Sequence, residues 1–210
     1  MYQMNVKEYN ENVMKGLFRK VYPFIAQQIV NYTGVNEGHC IDLGGGPGML
    51  GISIAEITNL NVVIYDLLPE CIEEARRNVV ERNLIQRVSA KQGKAEEIDF
   101  PDNSIDLVIS RGSIFFWEDQ KKGICEVYRV LKPGGWAYIG GGMGSAELLL
   151  EVQMERAKNP KFSEKSDTQR IPNPPGHFEK ILKECQIPNA TVDNSIAGTW
   201  IIFQKVNILN

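Results

Sequence analysis

An acidic residue that follows a glycine-rich segment at a fixed distance is the first feature of the chain that could bind a ligand. The segment HCIDLGGGPGMLG spans residues 39–51, and its last six residues, beginning at Gly46, have the spacing G-x-G-x-x-G. Asp66 lies 20 residues after Gly46, at the end of the next apolar stretch. This combination is typical of dinucleotide-binding folds, in which the acid binds the ribose hydroxyls. It therefore allows an NAD(P)-dependent oxidoreductase, unless Asp66 only caps the following helix.

Asp42 comes just before the glycines and indicates a ligand with a positive group. A carboxylate at this position would repel a pyrophosphate, whereas it would attract a positively charged group. The glycines at positions 44, 46 and 48 lack a Cβ and therefore let a ligand approach the backbone closely. The alternative is that Asp42 is only a polar residue of the turn.

Alternating strands and helices must hold these residues in place. Short apolar or β-branched segments alternate with amphipathic segments of about a dozen residues, which favours a parallel sheet covered on both faces. The last two apolar segments follow each other closely and predict a hairpin. We therefore predict an α/β fold, three-layered, Rossmann-like and doubly wound, with a mostly parallel sheet and an antiparallel C-terminal edge hairpin. The predicted strands are 40–43, 61–65, 88–92, 105–110, 136–141, 190–196 and 199–206, and the predicted helices are 49–58, a helix from Pro69, 121–131, 145–158 and 177–186.

The 210 residues suit a single domain with one core. We expect an N-terminal helical lid (1–36), a cofactor-binding core (37–144), a substrate-side insertion (145–189) and C-terminal edge strands (190–210). Within the lid, an amphipathic pattern over 11–33 predicts helix, which we expect Pro23 to break in two.

Composition excludes several function classes. The net charge of −3 argues against a nucleic-acid partner, because phosphates are bound by clustered Lys and Arg. No apolar stretch is long enough for a membrane span or a signal peptide, so we expect a cytoplasmic protein. The four cysteines form no CxxC pair, and we expect them to be reduced and structural, with no metal site.

Four segments between residues 39 and 140 together resemble class I S-adenosyl-L-methionine-dependent methyltransferases. The sequence is most similar to the small-molecule branch that includes the ubiquinone and menaquinone biosynthesis enzymes. IDLGGGPG resembles the first family motif, and Asp66 in VVIYDLLPE matches the ribose-binding acid. KAEEIDFPDNSIDLVIS resembles the adenine-contacting segment and fourth strand, and EVYRVLKPGGWAYI leads into the fifth strand.

The resemblance implies that the cofactor is S-adenosyl-L-methionine, with Asp42 favouring its ammonium group. It also implies that Leu67 and Leu68 wall the adenine, although both could equally be core residues. The cofactor-binding residues implied by the resemblance are Asp42, Gly44, Gly46, Gly48, Asp66, Leu67, Ala95, Glu96, Ser110 and Arg111.

The sequence identifies no definite catalytic residue. Methyl transfer is an in-line displacement that depends mainly on positioning, and a base is needed only when the acceptor must lose a proton. The weak candidates are Arg111, unless it forms a surface ion pair, His177, unless it is a surface residue, and Tyr9, unless the terminus is frayed. The aromatics at 115–117 indicate either an apolar acceptor pocket or core. No NPPY-type or Pro-Cys motif follows the fourth strand, which favours a small-molecule acceptor. A non-catalytic cofactor-binding protein remains an alternative, and the oligomeric state is not predictable.

Overall fold

The computed structural model describes residues 5–158 and 173–206, which contain one seven-stranded sheet. The strand order is β3-β2-β1-β4-β5-β7-β6. The first five strands run parallel, whereas β7 is antiparallel to β5 and to β6. The predicted fold class is therefore confirmed. The strands are β1 (Glu37–Leu43), β2 (Asn59–Asp66), β3 (Val88–Gln92), β4 (Ile105–Arg111), β5 (Leu131–Gly142), β6 (Thr191–Ser195) and β7 (Gly198–Gln204).

Helices cover both faces of the sheet and bury a separate apolar layer on each. α2, α3 and α4 pack on one face, and α5 and α7 pack on the other. The helices are α1 (Val6–Tyr9), a π-helix (Asn10–Leu17), α2 (Val21–Thr33), α3 (Met49–Ile57), α4 (Pro69–Glu81), a 3-10 turn (Ile114–Phe116), α5 (Gln120–Val130), α6 (Ala146–Lys158) and α7 (His177–Glu184).

The N-terminal helices do not break at Pro23, so that prediction was wrong. Pro23 lies in the first turn of α2, where its missing N–H has no helical partner to lose. The break lies one turn earlier, between the end of the π-helix at Leu17 and the start of α2 at Val21.

Two of the four cysteines are joined, which corrects the expectation that all are reduced. Cys125 in α5 and Cys185, just after α7, form a disulfide, whereas Cys40 and Cys71 are buried free thiols. The two partners are 60 residues apart, and only the docking of α7 against α5 brings them together. Sequence spacing alone contains no such signal.

The direction in which strands are added to the sheet reverses between β1 and β4. From β1 the chain continues to β2 and β3 on one side, and it then returns to add β4 and β5 on the other. In open α/β sheets, ligands bind at this reversal, outside the carboxyl ends of the strands. Leu43 and Arg111, which end the two strands, therefore mark the edge where a site is expected.

Candidate active site

The glycine loop between β1 and α3 packs closely against the protein and leaves open space at one position. Gly44, Gly46 and Gly48 all have positive φ angles, of 65°, 55° and 85°. A Cβ at Gly44 would overlap the side chain of Ser113, and one at Gly48 would overlap Ile64. A Cβ at Gly46 would meet nothing within 4 Å. The loop backbone thus packs against protein side chains at Gly44 and Gly48, and it is open to a ligand at Gly46.

Asp66 holds this loop by hydrogen bonds to its backbone. Its Oδ2 accepts a hydrogen bond from the Gly46 amide (2.8 Å), and its Oδ1 accepts one from the Leu68 amide (2.9 Å). No side chain caps the N-terminus of α4, so Asp66 is not the cap of that helix. Burial raises the pKa of Asp66, and the backbone amides partly offset that effect. Each carboxylate oxygen has a further lone pair for a ligand hydroxyl.

Asp42 is a buried carboxyl group with one unsatisfied oxygen. It belongs to β1 and not to the turn, and 1% of its surface is exposed. Its Oδ2 accepts a hydrogen bond from the Gly51 amide (2.8 Å), whereas Oδ1 has no partner. Burial raises the pKa of Asp42 to about 7. A buried carboxylate oxygen without a partner is costly, so the charged form of Asp42 is disfavoured unless a positive group lies near the loop that covers it.

Leu67 and Leu68 are surface residues, which contradicts the alternative that they belong to the core. They are 51% and 44% exposed, although the burial of large apolar side chains normally stabilises a fold. Farther along the same edge, Ala95 is buried, and the Glu96 carboxylate accepts a hydrogen bond from the Asp119 amide (3.2 Å). The two leucines thus form a small exposed apolar surface next to Asp66.

Ser113 connects the segment after β4 to the glycine loop, a role that the sequence did not reveal. Its hydroxyl donates to the Leu43 carbonyl (3.0 Å) and accepts from Trp117 Nε1 (3.1 Å). Because its single proton is used for Leu43, the 2.7 Å contact with Ser110 requires Ser110 to be the donor. Ser110 is fully buried, so its hydroxyl supports Ser113 and is not directed into open space.

Arg111 forms no ion pair with any residue in the described part of the chain, which contradicts the surface-pair alternative. Its guanidinium carbon lies 4.6 Å from the ring centre of Phe18 and 5.0 Å from that of Tyr22. Its hydrogen bonds go to neutral groups: the Gly142 carbonyl (2.9 Å), the Tyr22 hydroxyl (3.2 Å) and the Met143 sulfur (3.4 Å). The positive charge is therefore held in place but not compensated by a carboxylate.

The three aromatics after β4 have different environments. Phe116 is 55% exposed, whereas Phe115 and Trp117 are partly buried against the apolar layer of the α5 face. Phe115 also meets Phe178 of α7 edge-to-face, at 6.3 Å between ring centres. The exposure of Phe116 thus agrees with the pocket alternative, whereas the packing of Phe115 and Trp117 agrees with the core alternative.

His177 is a half-buried residue at the start of α7. Its Nε2 lies 2.6 Å from Gln120 Oε1, and Gln120 Nε2 donates to the Ile114 carbonyl (2.9 Å). This amide orientation makes Gln120 Oε1 an acceptor, so His177 Nε2 carries a proton and Nδ1 is left as the basic nitrogen.

The N-terminal helices are docked through a buried polar cluster that sequence reasoning missed. Asn10 is fully buried, and its Nδ2 donates to Glu74 Oε1 (2.9 Å) and to Asn78 Oδ1 (3.0 Å). Asn78 Nδ2 in turn donates to Asn10 Oδ1 (3.2 Å) and to the Pro47 carbonyl of the glycine loop (2.8 Å). Tyr9, the preceding residue, packs against the core, so this part of the terminus is not frayed.

Within residues 5–158 and 173–206, no group of three or more His, Cys, Asp or Glu residues could hold a metal ion. In the same ranges, no helix is long and apolar enough to span a membrane.

Comparison with known proteins identifies methyltransferases as relatives. A methyltransferase domain family matches residues 41–139. A crystal structure from Methanococcus maripaludis, described as an S-adenosyl-L-methionine-dependent methyltransferase, is 35% identical, covers 99% of this chain and 98% of that one, and superposes with a TM-score of 0.88.

Curated relatives match only part of their own length. A chloroplastic 2-methyl-6-phytyl-1,4-hydroquinone methyltransferase of Oryza sativa subsp. japonica is 38% identical over 48% of this chain and 30% of its own. A demethylmenaquinone methyltransferase of Chlorobaculum parvum is 36% identical over 50% of this chain and 42% of its own. The chain therefore spans less than half the length of these two relatives.

The matched region contains Asp42, the glycine loop, Asp66 and Arg111, and the Methanococcus likeness extends over nearly the whole of both chains. The chain therefore belongs to the S-adenosyl-L-methionine-dependent methyltransferases, whose cofactor it shares.

Proposed function

We propose that the protein transfers the methyl group of S-adenosyl-L-methionine to a small molecule bound beside the carboxyl ends of β1 and β4. One observation carries this proposal: the unsatisfied oxygen of Asp42 lies under a glycine loop that is open at Gly46 and held by Asp66. A cationic ligand above the loop would favour the charged form of Asp42, and its vicinal hydroxyls would bond to Asp66. A pyrophosphate would be repelled by Asp42, which disfavours the oxidoreductase alternative.

The residues present fit the cofactor in type and placement. Asp66 has lone pairs for the ribose hydroxyls, and the backbone at Gly46 is accessible. The exposed Leu67 and Leu68 provide an apolar surface for an adenine ring. Buried Ser110 acts through Ser113 by fixing the end of the glycine loop. Gly44, Gly48, Ala95 and Glu96 complete the proposed cofactor-binding set.

When bound, the cofactor supplies a methyl group on a positively charged sulfur, which is the electrophile. The protein contributes chiefly by holding the reactants in line, and such positioning can contribute up to ~7–11 kcal/mol to lowering a barrier. His177 Nδ1 can accept a proton where an acceptor has to lose one, since Gln120 fixes the protonation of the opposite ring nitrogen.

The acceptor is proposed to be a small molecule with an apolar or aromatic part. Exposed Phe116 lies five residues after the end of β4. The lid (1–36) and the insertion (145–189) are proposed to border this space, although residues 1–4 of the lid and 159–172 of the insertion lie outside the described residues. The net charge of −3 argues against nucleic acid. Cytoplasmic location stays a prediction. The two curated relatives are named for a hydroquinone and for demethylmenaquinone, so these compounds belong in an acceptor screen.

Thermal unfolding with S-adenosylhomocysteine or NAD tests the cofactor class. A ligand at 100 times its dissociation constant adds about 2.7 kcal/mol of stability. We expect a shift with S-adenosylhomocysteine alone, and a shift with NAD alone would refute the proposal. Incubation with labelled S-adenosyl-L-methionine and a small-molecule panel then tests transfer. Cofactor binding without transfer to any compound would favour a non-catalytic binding protein.

A further inference from the structure

A disulfide joins the end of α7 to the middle of α5. Cys185 directly follows the last residue of α7, and Cys125 lies halfway along α5. Both half-cystines are partly exposed, so a small thiol can reach them, whereas the free thiols of Cys40 and Cys71 are buried. The four cysteines of the chain are thus divided into one accessible pair and two enclosed residues. The disulfide is therefore the bond on which a change of thiol–disulfide conditions acts.

The other end of α7 contacts the segment that follows β4. The first residue of α7 is His177, whose Nε2 lies 2.6 Å from Gln120 Oε1. The next residue, Phe178, meets Phe115 of the 3-10 turn edge-to-face. Since α7 has eight residues, about 12 Å of helix separate these contacts from the disulfide. Whatever holds α7 against α5 therefore also holds His177 and Phe178 in place.

The non-covalent contacts of α7 can dock it, but they allow it to open. Phe178, Ile181 and Leu182 are buried in the apolar layer under α7. The ion pair between Lys121 and Glu184 is exposed, so it adds little. A helix of eight residues is also too short to be stable when it leaves its neighbours. Without the crosslink, α7 gains more freedom when it opens, so it should open more often.

We propose that the Cys125–Cys185 disulfide is a redox switch for the acceptor side of the site, a role that rests on the proposed function. In the oxidised protein, α7 keeps His177 and Phe178 at the border of the acceptor space. A dithiol reduces the bond in two steps: one thiolate attacks a half-cystine sulfur, and the second thiolate then breaks the mixed disulfide. Two protein thiols replace the S–S bond, and the reductant becomes a cyclic disulfide.

The proposed cofactor-binding residues are held by contacts outside α7. Asp66 bonds to the backbone amides of Gly46 and Leu68, and Asp42 bonds to that of Gly51. Opening of α7 breaks none of these bonds. We therefore expect reduction to act on the acceptor side and to leave the affinity for S-adenosylhomocysteine unchanged.

Hydrogen exchange with and without dithiothreitol measures the release of α7. After reduction, the amides of α7 should exchange about 10- to 100-fold faster, a larger rise than in α3 on the opposite face of the sheet. Cys125→Ser should exchange like the reduced wild-type protein and should not respond to dithiothreitol. Cys40→Ala is the matched control, because it removes a free thiol and keeps the disulfide, so it should respond as the wild type does. Reoxidation should restore slow exchange.

Reactivity at the first turn of α7 shows whether the release reaches the acceptor side. The chain has two histidines, and His39, an exposed residue of β1, serves as an internal standard for His177. In Cys125→Ser, carbethoxylation of His177 by diethylpyrocarbonate should rise several-fold relative to that of His39, because the contact with Gln120 opens more often. For a compound that the oxidised protein methylates, reduction should raise the KM.

Several outcomes would overturn the proposal. Equal acceleration of exchange in α7 and α3 would make the disulfide a general stabiliser of the fold. Unchanged exchange in α7, unchanged reactivity of His177 or an unchanged KM for the acceptor would also refute it, as would a loss of affinity for S-adenosylhomocysteine on reduction. Oxidised protein that methylates no compound refutes the proposed function itself, and the exchange rates of α7 then still show whether the disulfide holds this helix.

Discussion

Asn10→Ala should release residues 6–17, the tip of the proposed N-terminal lid, while the rest of the protein stays folded. The substitution removes both hydrogen bonds donated by Asn10 Nδ2 and the bond that Asn10 Oδ1 accepts from Asn78. It leaves Glu74 paired with Arg77 and leaves Asn78 bonded to Pro47. The perturbation is therefore confined to the contact between the lid tip and α4.

The loss of docking free energy in Asn10→Ala follows from the type of each hydrogen bond that is removed. The bond to the Glu74 carboxylate is worth ~1.5–3 kcal/mol and each amide–amide bond ~0.5–1.5 kcal/mol. Neighbouring bonds are not additive, so we expect a loss of about 3 kcal/mol, or about 100-fold in the docking equilibrium. Asn10→Asp should do no better, since it sets a second carboxylate against Glu74.

Hydrogen exchange measures this docking directly. In Asn10→Ala, amides of the lid tip should exchange about 100-fold faster, whereas those of α2 should be unchanged. Lys15→Ala is the matched control, because Lys15 joins the same segment to Glu81 through an exposed ion pair worth at most ~1 kcal/mol. Equal effects of the two substitutions, or faster exchange in both the lid tip and α2, would refute the reasoning.

Three further predictions concern the cofactor site and stability. Asp66→Ala should lose most of the ~2.7 kcal/mol stabilisation by saturating S-adenosylhomocysteine, measured by thermal shift, and an unchanged shift would exclude the ribose role. The pKa of the Asp42 carboxyl rises from its ordinary value of 3.8 to about 7 in the folded protein. The stability that its protonated form contributes is therefore fully present below pH 4 and is lost as the pH rises to 7. Urea titrations should therefore show that Asp42→Asn removes about 3 kcal/mol of pH dependence between pH 5 and 8; parallel curves would contradict this. Dithiothreitol should destabilise the protein by up to ~4 kcal/mol, as expected for a disulfide closing a 60-residue loop, and Cys125→Ser should be insensitive to it.

Helices and strands were predicted well where the local pattern of apolar and polar side chains determines them. The strand at 88–92 was predicted with the ends that the structure has, because apolar and polar side chains alternate there. By contrast, β1 begins at Glu37 and not at Cys40, because its pairing with β2 continues through three residues whose side chains carry no strand signal. The position of Pro23 in α2 depends on where the preceding helix ends, which no local rule specifies.

A site residue was predictable where its contact partners belong to the same segment of the chain. It was not predictable where those partners come from a distant segment. Asp66 was found because its distance from Gly46 is fixed by the βαβ unit. The contacts of Asn10 and Arg111 depend on how the lid docks on the sheet, so the sequence left their roles open or did not reveal them. For Arg111, the structure removes the ion-pair alternative, because its described partners are uncharged.

The distinction between a dinucleotide and a sulfonium cofactor depends on the residue before the glycines. The glycine spacing and Asp66 suit both ligands, since both contain ribose hydroxyls and both require close approach to the backbone. Asp42 separates them, because its second oxygen lies buried beneath the loop without a donor. Near pH 7 this group is close to its pKa, so a cation would favour its ionised form and an anion would oppose it. The buried acid thus selects the charge of the ligand, while the glycines only make room for it.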